Sequence, residues 1–317
     1  MMKKLSVAIA ALLVAAGLAF AAPAHAGGPT PPTPLGGWNT AKLVQTPIHR
    51  DAPKVSAVPG KKGSFGTFTF NPTRYYAGGQ DTPAVSKTAF AGNMTVYDPP
   101  TVDTGDQSLM EMTVQASGAG YSPQYGQAII GIGWRKYNGS LTLFAERFRN
   151  GVWGGSFVGS GDGWVDYSGT GAGLDLGSTL SGTGAGKSFQ WIYDSASGGR
   201  WWGYYDGKAL GYYPLSIWST GTSPTYTFNG LQFGQAYVEV YDDDTSVSPC
   251  TDAGNGVLAT GSGSRANFTS LRYATGDYAN MGSWPVVTNS SWYNTLPVNV
   301  VSHGGGADAY VGGPGAC

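Results

Sequence analysis

Residues 200–218 read RWWGYYDGKALGYYPLSIW and, after a Thr/Pro-rich gap, residues 230–240 read GLQFGQAYVEV. Arg200–Tyr205 and Ala209–Tyr213 are aromatic runs turned by Asp206-Gly207, and Asp-Gly is a favoured two-residue hairpin turn. A third run, Gln235–Tyr241, places Gln235, Tyr237, Glu239 and Tyr241 on one face and Ala236, Val238 and Val240 on the other. The apolar face is expected against a core. The face with Glu239 has the polar and aromatic character of a groove floor.

Outward from there, similar runs recur at Ala89–Tyr97, Ser108–Ala116, Gln127–Tyr137, Leu141–Phe148, Ser188–Tyr193 and Ala266–Tyr273, with an alternating start from Ser64 to Phe70. Gly, Asn, Asp or Pro separates them, and no apolar stripe at helical spacing persists over three turns. With 51 Gly, 19 Tyr and 10 Trp in 317 residues and few charges, the composition suits twisted sheets. The expected fold is all-β, an antiparallel β-sandwich with a groove across one sheet.

The chain opens with Lys3 and Lys4, an uncharged run from Leu5 to Ala22, and Ala24-His25-Ala26, the order of a secretory signal peptide. Residues 1–26 are read as that signal and 27–62 as a Pro/Gly-rich arm or linker. Residues 63–275 are the sandwich, and 276–317 a C-terminal extension. The mature protein is expected to be secreted, periplasmic or extracellular, free of the membrane after cleavage, and monomeric. The segment Val152–Gly186 is expected to form hairpins or loops at one end.

Without Lys3 and Lys4, 16 basic residues face 19 acidic ones, which leaves nothing to grip a phosphate backbone, so no nucleic-acid partner is expected. Cys250 and the terminal Cys317 are the two cysteines, and an exported protein would join them in a disulfide. Apart from His25, the histidines are His49 in the arm and His303 in the tail, which disfavours a Ser-His-Asp triad. No metal site and no cofactor is expected; Asp242-Asp243-Asp244 could hold calcium but reads rather as a solvated turn, and Asp103-Thr104-Gly105, which has the look of an aspartic-protease signature but no second copy, as a loop.

Glutamate is the informative residue. Glu111, Glu146 and Glu239 are the three in the chain, and all fall in predicted strands, where glutamate is normally depleted. Glu111 shares a face with Leu109, Thr113 and Gln115, opposite Met110, Met112 and Val114. Glu146 lies between Phe144 and Phe148 on its own face. Two carboxylates on an aromatic sheet face suit general acid–base work.

The block WWGYYDGKALGYYPLSIW (201–218), the following AYVEVYDDDTSVSPCTDAGNG, NMTVYDPPTV (93–102) and IGIGWRKYNGSLTLFAERFRNG (130–151) together resemble the neprosin family of secreted glutamic endopeptidases. The resemblance covers about residues 65–275. It implies hydrolysis of peptide bonds after proline at acidic pH by two glutamates, and a proline-rich peptide or protein as substrate. One family glutamate falls on Glu239. The place of the other is taken by Gly131, so Glu111 on the preceding strand is the expected replacement. Gln127, four residues before Gly131, is a candidate oxyanion donor, and Trp134, Trp202, Tyr237 and Tyr241 are candidate substrate contacts. The competing readings are a carbohydrate-binding or glycan-cleaving sandwich, and a family member that only binds.

Overall fold

The computed structural model describes residues 29–35, 74–117 (without 82 and 84), 127–149, 152–156, 163–167, 174–218, 228–243, 249–274, 279, 284–287, 291–300 and 306–316. Among these, the strands are β1 (Arg74–Asp81), β2 (Ala89–Tyr97), β3 (Gln107–Ser117), β4 (Gln127–Tyr137), β5 (Ser140–Arg149), β6 (Val152–Ser156), β7 (Val165–Asp166) and β8 (Thr183–Asp194). They continue with β9 (Arg200–Tyr205), β10 (Lys208–Pro214), β11 (Phe233–Tyr241), β12 (Asn267–Tyr273), β13 (Trp284–Val287), β14 (Asn294–Val300) and β15 (Gly306–Gly312). The two sheets are antiparallel throughout. The first runs β13-β1-β11-β3-β4-β5-β6 and the second β14-β15-β12-β2-β8-β9-β10-β7. This is the β-sandwich expected from the alternation.

The β9–β10 hairpin turns at Asp206 and Gly207 with φ of 49° and 77°. Two successive positive φ values are what a type I′ turn requires, and they match the twist of the flanking strands. The hairpin and β11 are close in sequence but lie in different sheets. The core between the sheets takes the even positions of β3 (Met110, Met112, Val114), β4 (Ile130, Ile132, Trp134) and β11 (Ala236, Val238, Val240). From the second sheet it takes Phe189, Trp191, Trp201 and Tyr213. Trp134 Nε1–H donates to the Thr95 carbonyl at 2.8 Å and Trp191 Nε1–H to the Met112 carbonyl at 3.3 Å. Each indole thus ties one sheet to the backbone of the other while its ring fills the interior.

The C-terminal residues are more than an appended extension. β13 hydrogen-bonds to β1 in the first sheet, whereas β15 pairs with β12 and β14 with β15 in the second. Residues 276–317 therefore contribute to both sheets. Their Gly, Asn and Pro residues read as turns, but a strand at or near a sheet edge tolerates them. The first described strand is β1, in RYYAGGQD; the run Ser64–Phe70 lies outside the described residues, as does the signal segment. No helix among the described residues is long and apolar enough to cross a membrane.

Candidate active site

The outward face of the first sheet brings the three glutamates of the chain together. Register sets their positions. On β11, Glu239 is opposite Leu109 of β3 and Tyr76 of β1; one step along the same face, Tyr237 is opposite Glu111. Glu111 is opposite Gly133 on β4, and Glu146 on β5 is opposite Gly131. Residues directly across an antiparallel pair share a face, so all of these side chains project from one side.

Glu111 and Glu146 stand on strands two apart, which puts their backbones about 10 Å from each other. The strand between them offers Gly131 and Gly133, so no side chain intervenes. The Glu111 carboxyl lies over Gly131, where a Cβ would collide with its Oε2. The two carboxyls interact electrostatically and by hydrogen bond. Among the described residues, Oε2 of Glu111 is buried with no ordinary donor beside it. Two carboxylates offer only acceptors to each other, so this contact closes when one of the pair holds a proton.

The surroundings favour that proton. Glu111 is 0% exposed, Glu239 4% and Glu146 8%. Leu109, Ile129 and Phe144 are buried on the same face. Burial first, then the charges of Glu146 and Glu239, hold the Glu111 pKa well above the ordinary carboxyl range, with Arg74 opposing. Tyr237 Oη–H donates to Glu111 Oε1.

Glu239 has a different environment. Burial raises its pKa too, but the Arg74 guanidinium and hydrogen bonds from Tyr76 and Arg74 pull the other way. Arg74 Nη1 forms an ion pair with Glu239 Oε1, and its guanidinium packs 5.4 Å from the centre of the Tyr241 ring. The Arg74 side chain is 34% exposed, so the pair reaches the surface there. Tyr76 and Tyr237 meet edge to face at 5.7 Å above the pair. Two carboxyls of unlike proton affinity thus lie on neighbouring strands, Glu239 the more readily ionised and Glu111 the more readily protonated.

A polar row continues beyond them. Thr113 Oγ1–H donates to Gln235 Oε1 at 2.9 Å, and Gln235 Nε2–H to Gln80 Oε1 at 2.8 Å. This row crosses β3, β11 and β1 and fixes the spacing of the strands that carry Glu111, Glu239 and Tyr76.

Of the substrate contacts expected from sequence, Tyr237 and Tyr241 belong to this face, and two do not. Trp134 points into the core, because the glycines of β4 take the outward positions and the large apolar residues the inward ones. Trp202 lies on the outer face of the second sheet, on the far side of the sandwich. Gln127 begins β4, but its side chain lies outside the described residues. The sequence does not point to Arg74 or Tyr76, and it leaves open where the face of Glu146 lies. Gly131 and Gly133 lie on the strand between those of Glu111 and Glu146, and the gap they leave is filled by long side chains from both sides, but that pairing is visible only once the strands are placed.

The aspartates form a separate structural cluster. Carboxylate oxygens of Asp106, Asp242 and Asp243 come within 4.8 Å of one another. Asp106 accepts the Asp243 N–H at 3.0 Å and the Thr251 hydroxyl at 2.5 Å, which binds β3 to the segment after β11. Asp103 closes a turn with Asp106. At the C-terminus the Ala316 N–H donates to the Pro249 carbonyl at 2.7 Å, beside Cys250. Cys317 lies outside the described residues.

No protein-family model matches the chain, and no curated protein matches it. Among solved structures, Scytalido-glutamic peptidase with a peptide-based transition-state analogue aligns over 76% of this chain and 98% of its own, at 11% identity and a TM-score of 0.35. That likeness is too distant to bear on the site. The neprosin resemblance rests on the quoted residues alone.

Proposed function

We propose that the chain is a secreted peptidase of the glutamic type, in which Glu239 and Glu111 carry the acid–base chemistry. The observation behind this reading is the pair of carboxyls on adjacent strands, one ion-paired with Arg74 and the other buried and favoured as the acid. Ionised Glu239 takes a proton from water as the water attacks the scissile carbonyl. Protonated Glu111 donates to the carbonyl oxygen, giving a gem-diol intermediate; as the C–N bond breaks, the proton held by Glu239 passes to the leaving amine and a gem-diol hydroxyl returns a proton to Glu111. Water is consumed, one acid and one amine are formed, and both carboxyls return to their starting states.

Cleavage after proline in proline-rich substrates follows from the neprosin resemblance. Tyr76, Tyr237 and Tyr241 offer rings on the same face for a pyrrolidine to pack against. The test is digestion of a proline-rich protein between pH 3 and 7 with new termini mapped by mass spectrometry, alongside a polysaccharide panel. Cleavage lost in Glu239→Gln supports the reading. Sugar release without peptide cleavage replaces it with glycan hydrolysis.

A second reading, a protein that only binds, is favoured by one contact. Arg74 occupies an oxygen of Glu239 that a general base needs to reach water. Peptide binding with no turnover across that pH range would select this reading.

A further inference from the structure

We propose that the outer face of the second sheet is a binding site for proline-rich polypeptide in an extended, polyproline-type conformation, occupied in cis by the chain's own residues 29–35. This segment reads PTPPTPL, four prolines in seven residues. Each proline fixes its own φ near −65° and steers the residue before it away from helix. Such a chain has three residues per turn and no internal hydrogen bonds, so its carbonyls are available to a partner. Burial follows that period: Thr30 and Thr33 are exposed, while the prolines and Leu35 are partly covered.

The polar contacts are also three residues apart. Tyr204 Oη–H donates to the Pro32 carbonyl at 2.5 Å. The Gln190 side-chain amide engages Leu35 twice, accepting its N–H at 2.9 Å and donating to its carbonyl at 3.5 Å. Gln190 and Tyr204 are cross-strand neighbours on β8 and β9, so one site on the sheet reads both positions. Beside them, Trp202 packs against Tyr212 at 4.7 Å and Tyr167 at 5.4 Å, and Leu35 joins this aromatic cluster. The buried Trp202 Nε1–H has no acceptor among the described residues.

These features are those of a recognition surface for proline-rich peptide: aromatic rings, plus a phenol and an amide that hydrogen-bond backbone groups. Every contact is to ligand backbone or to apolar side chains, and none depends on the covalent link to the rest of the chain. Any proline-rich segment of the same frame presents the same atoms. The named hydrogen bonds to this segment come from uncharged side chains, so affinity should depend little on salt. The site lies on the opposite face of the sandwich from the carboxyls, and it does not rest on the function proposed above.

The test uses the full mature chain and a synthetic PTPPTPL peptide, followed by titration calorimetry. The arm tethered in cis competes at an effective concentration in the millimolar range. The variant Pro32→Gly/Leu35→Ser should therefore bind the peptide at least about tenfold more tightly than the wild type. Adding Gln190→Met and Tyr204→Phe should remove that binding with the melting temperature held. No binding to the opened variant with its native melting temperature overturns the proposal, as does equal binding of an ATAATAL peptide. Should the opened variant not fold, a fluorophore on Thr33→Cys in the otherwise unaltered chain reports displacement of the arm. A change in emission on saturation with PTPPTPL, absent with ATAATAL, supports the site; unchanged emission overturns it.

Discussion

Gly131 of β4 lies directly beneath the carboxyl of Glu111, in space that a side chain of its own would occupy. The relationship explains how the face holds a buried carboxyl pair without opening the sheet. Gly131→Ala should drive the Glu111 carboxyl away from Tyr237 and Glu146, at a cost of about 1–3 kcal/mol for overpacking. Peptidase activity should fall at least tenfold. Gly186→Ala, where an added Cβ meets nothing within 4 Å, is the control and should leave both activity and melting temperature near the wild type.

Glu239→Gln should lower peptidase activity by about a hundredfold or more, the usual scale for removing a general base. Its structural cost should be small, about 1–2 kcal/mol, because glutamine still accepts from Tyr76 and Arg74 reaches solvent. Denaturation midpoints and rates on one purified preparation separate the two effects. Full activity in a folded Glu239→Gln protein removes this residue from the mechanism.

Stability should depend on pH through Glu111. Its folded pKa is raised above its unfolded value near 4.5, so the folded state binds the proton more tightly than the unfolded state. The corresponding stabilisation is complete below about pH 4.5 and is lost as pH rises through the folded pKa. Melting temperature measured from pH 4 to 9 should fall on the alkaline side. Glu111→Gln, which stays neutral, should flatten that fall.

Much of this arrangement was legible in the sequence, for physical reasons. Alternation assigned the faces of β3 and β11 because one side of each meets a core, and the burial of Met110, Met112, Ala236 and Val238 follows it. Depletion of glutamate from strands marks Glu111, Glu146 and Glu239 alike, and the faces of β3 and β11 single out Glu111 and Glu239. Pairing between distant strands is a non-local property, however, so nothing local announced that β5 would carry Glu146 to the same place. Arg74 was missed because RYYAGGQD has two glycines and no clear alternation, and β1 becomes a strand only between β11 and β13. Trp134 and Trp202 were assigned by residue type; their faces are set by strand parity, which sends one inward and the other to the far sheet.

Cys250 and Cys317 should be joined within one chain. The hydrogen bond from Ala316 to Pro249 places the residue before Cys317 near Cys250. Closing so long a loop is worth about 4 kcal/mol on the chain-entropy account. Peptide mapping without reduction should recover the linked pair, and reduction should lower the melting temperature. Free thiols in the purified protein, or a covalent dimer, would count against the bridge.

Glu146→Gln tests the role of the third carboxyl. The charge of Glu146 and its hydrogen bond both raise the Glu111 pKa, so a neutral amide in its place should lower that pKa. If Glu111 is the acid, activity is lost on the alkaline side when its proton leaves, and this limb should move to lower pH in the variant. The acidic limb, which follows ionisation of Glu239 beside Arg74, should move much less. A residue that merely supported the fold would lower the melting temperature or scale the whole profile without displacing one limb. The pH–rate profiles of wild type, Glu146→Gln and Glu111→Gln therefore distinguish the cases. If Glu146→Gln leaves the alkaline limb where it was, the two carboxyls do not share a proton in the active protein.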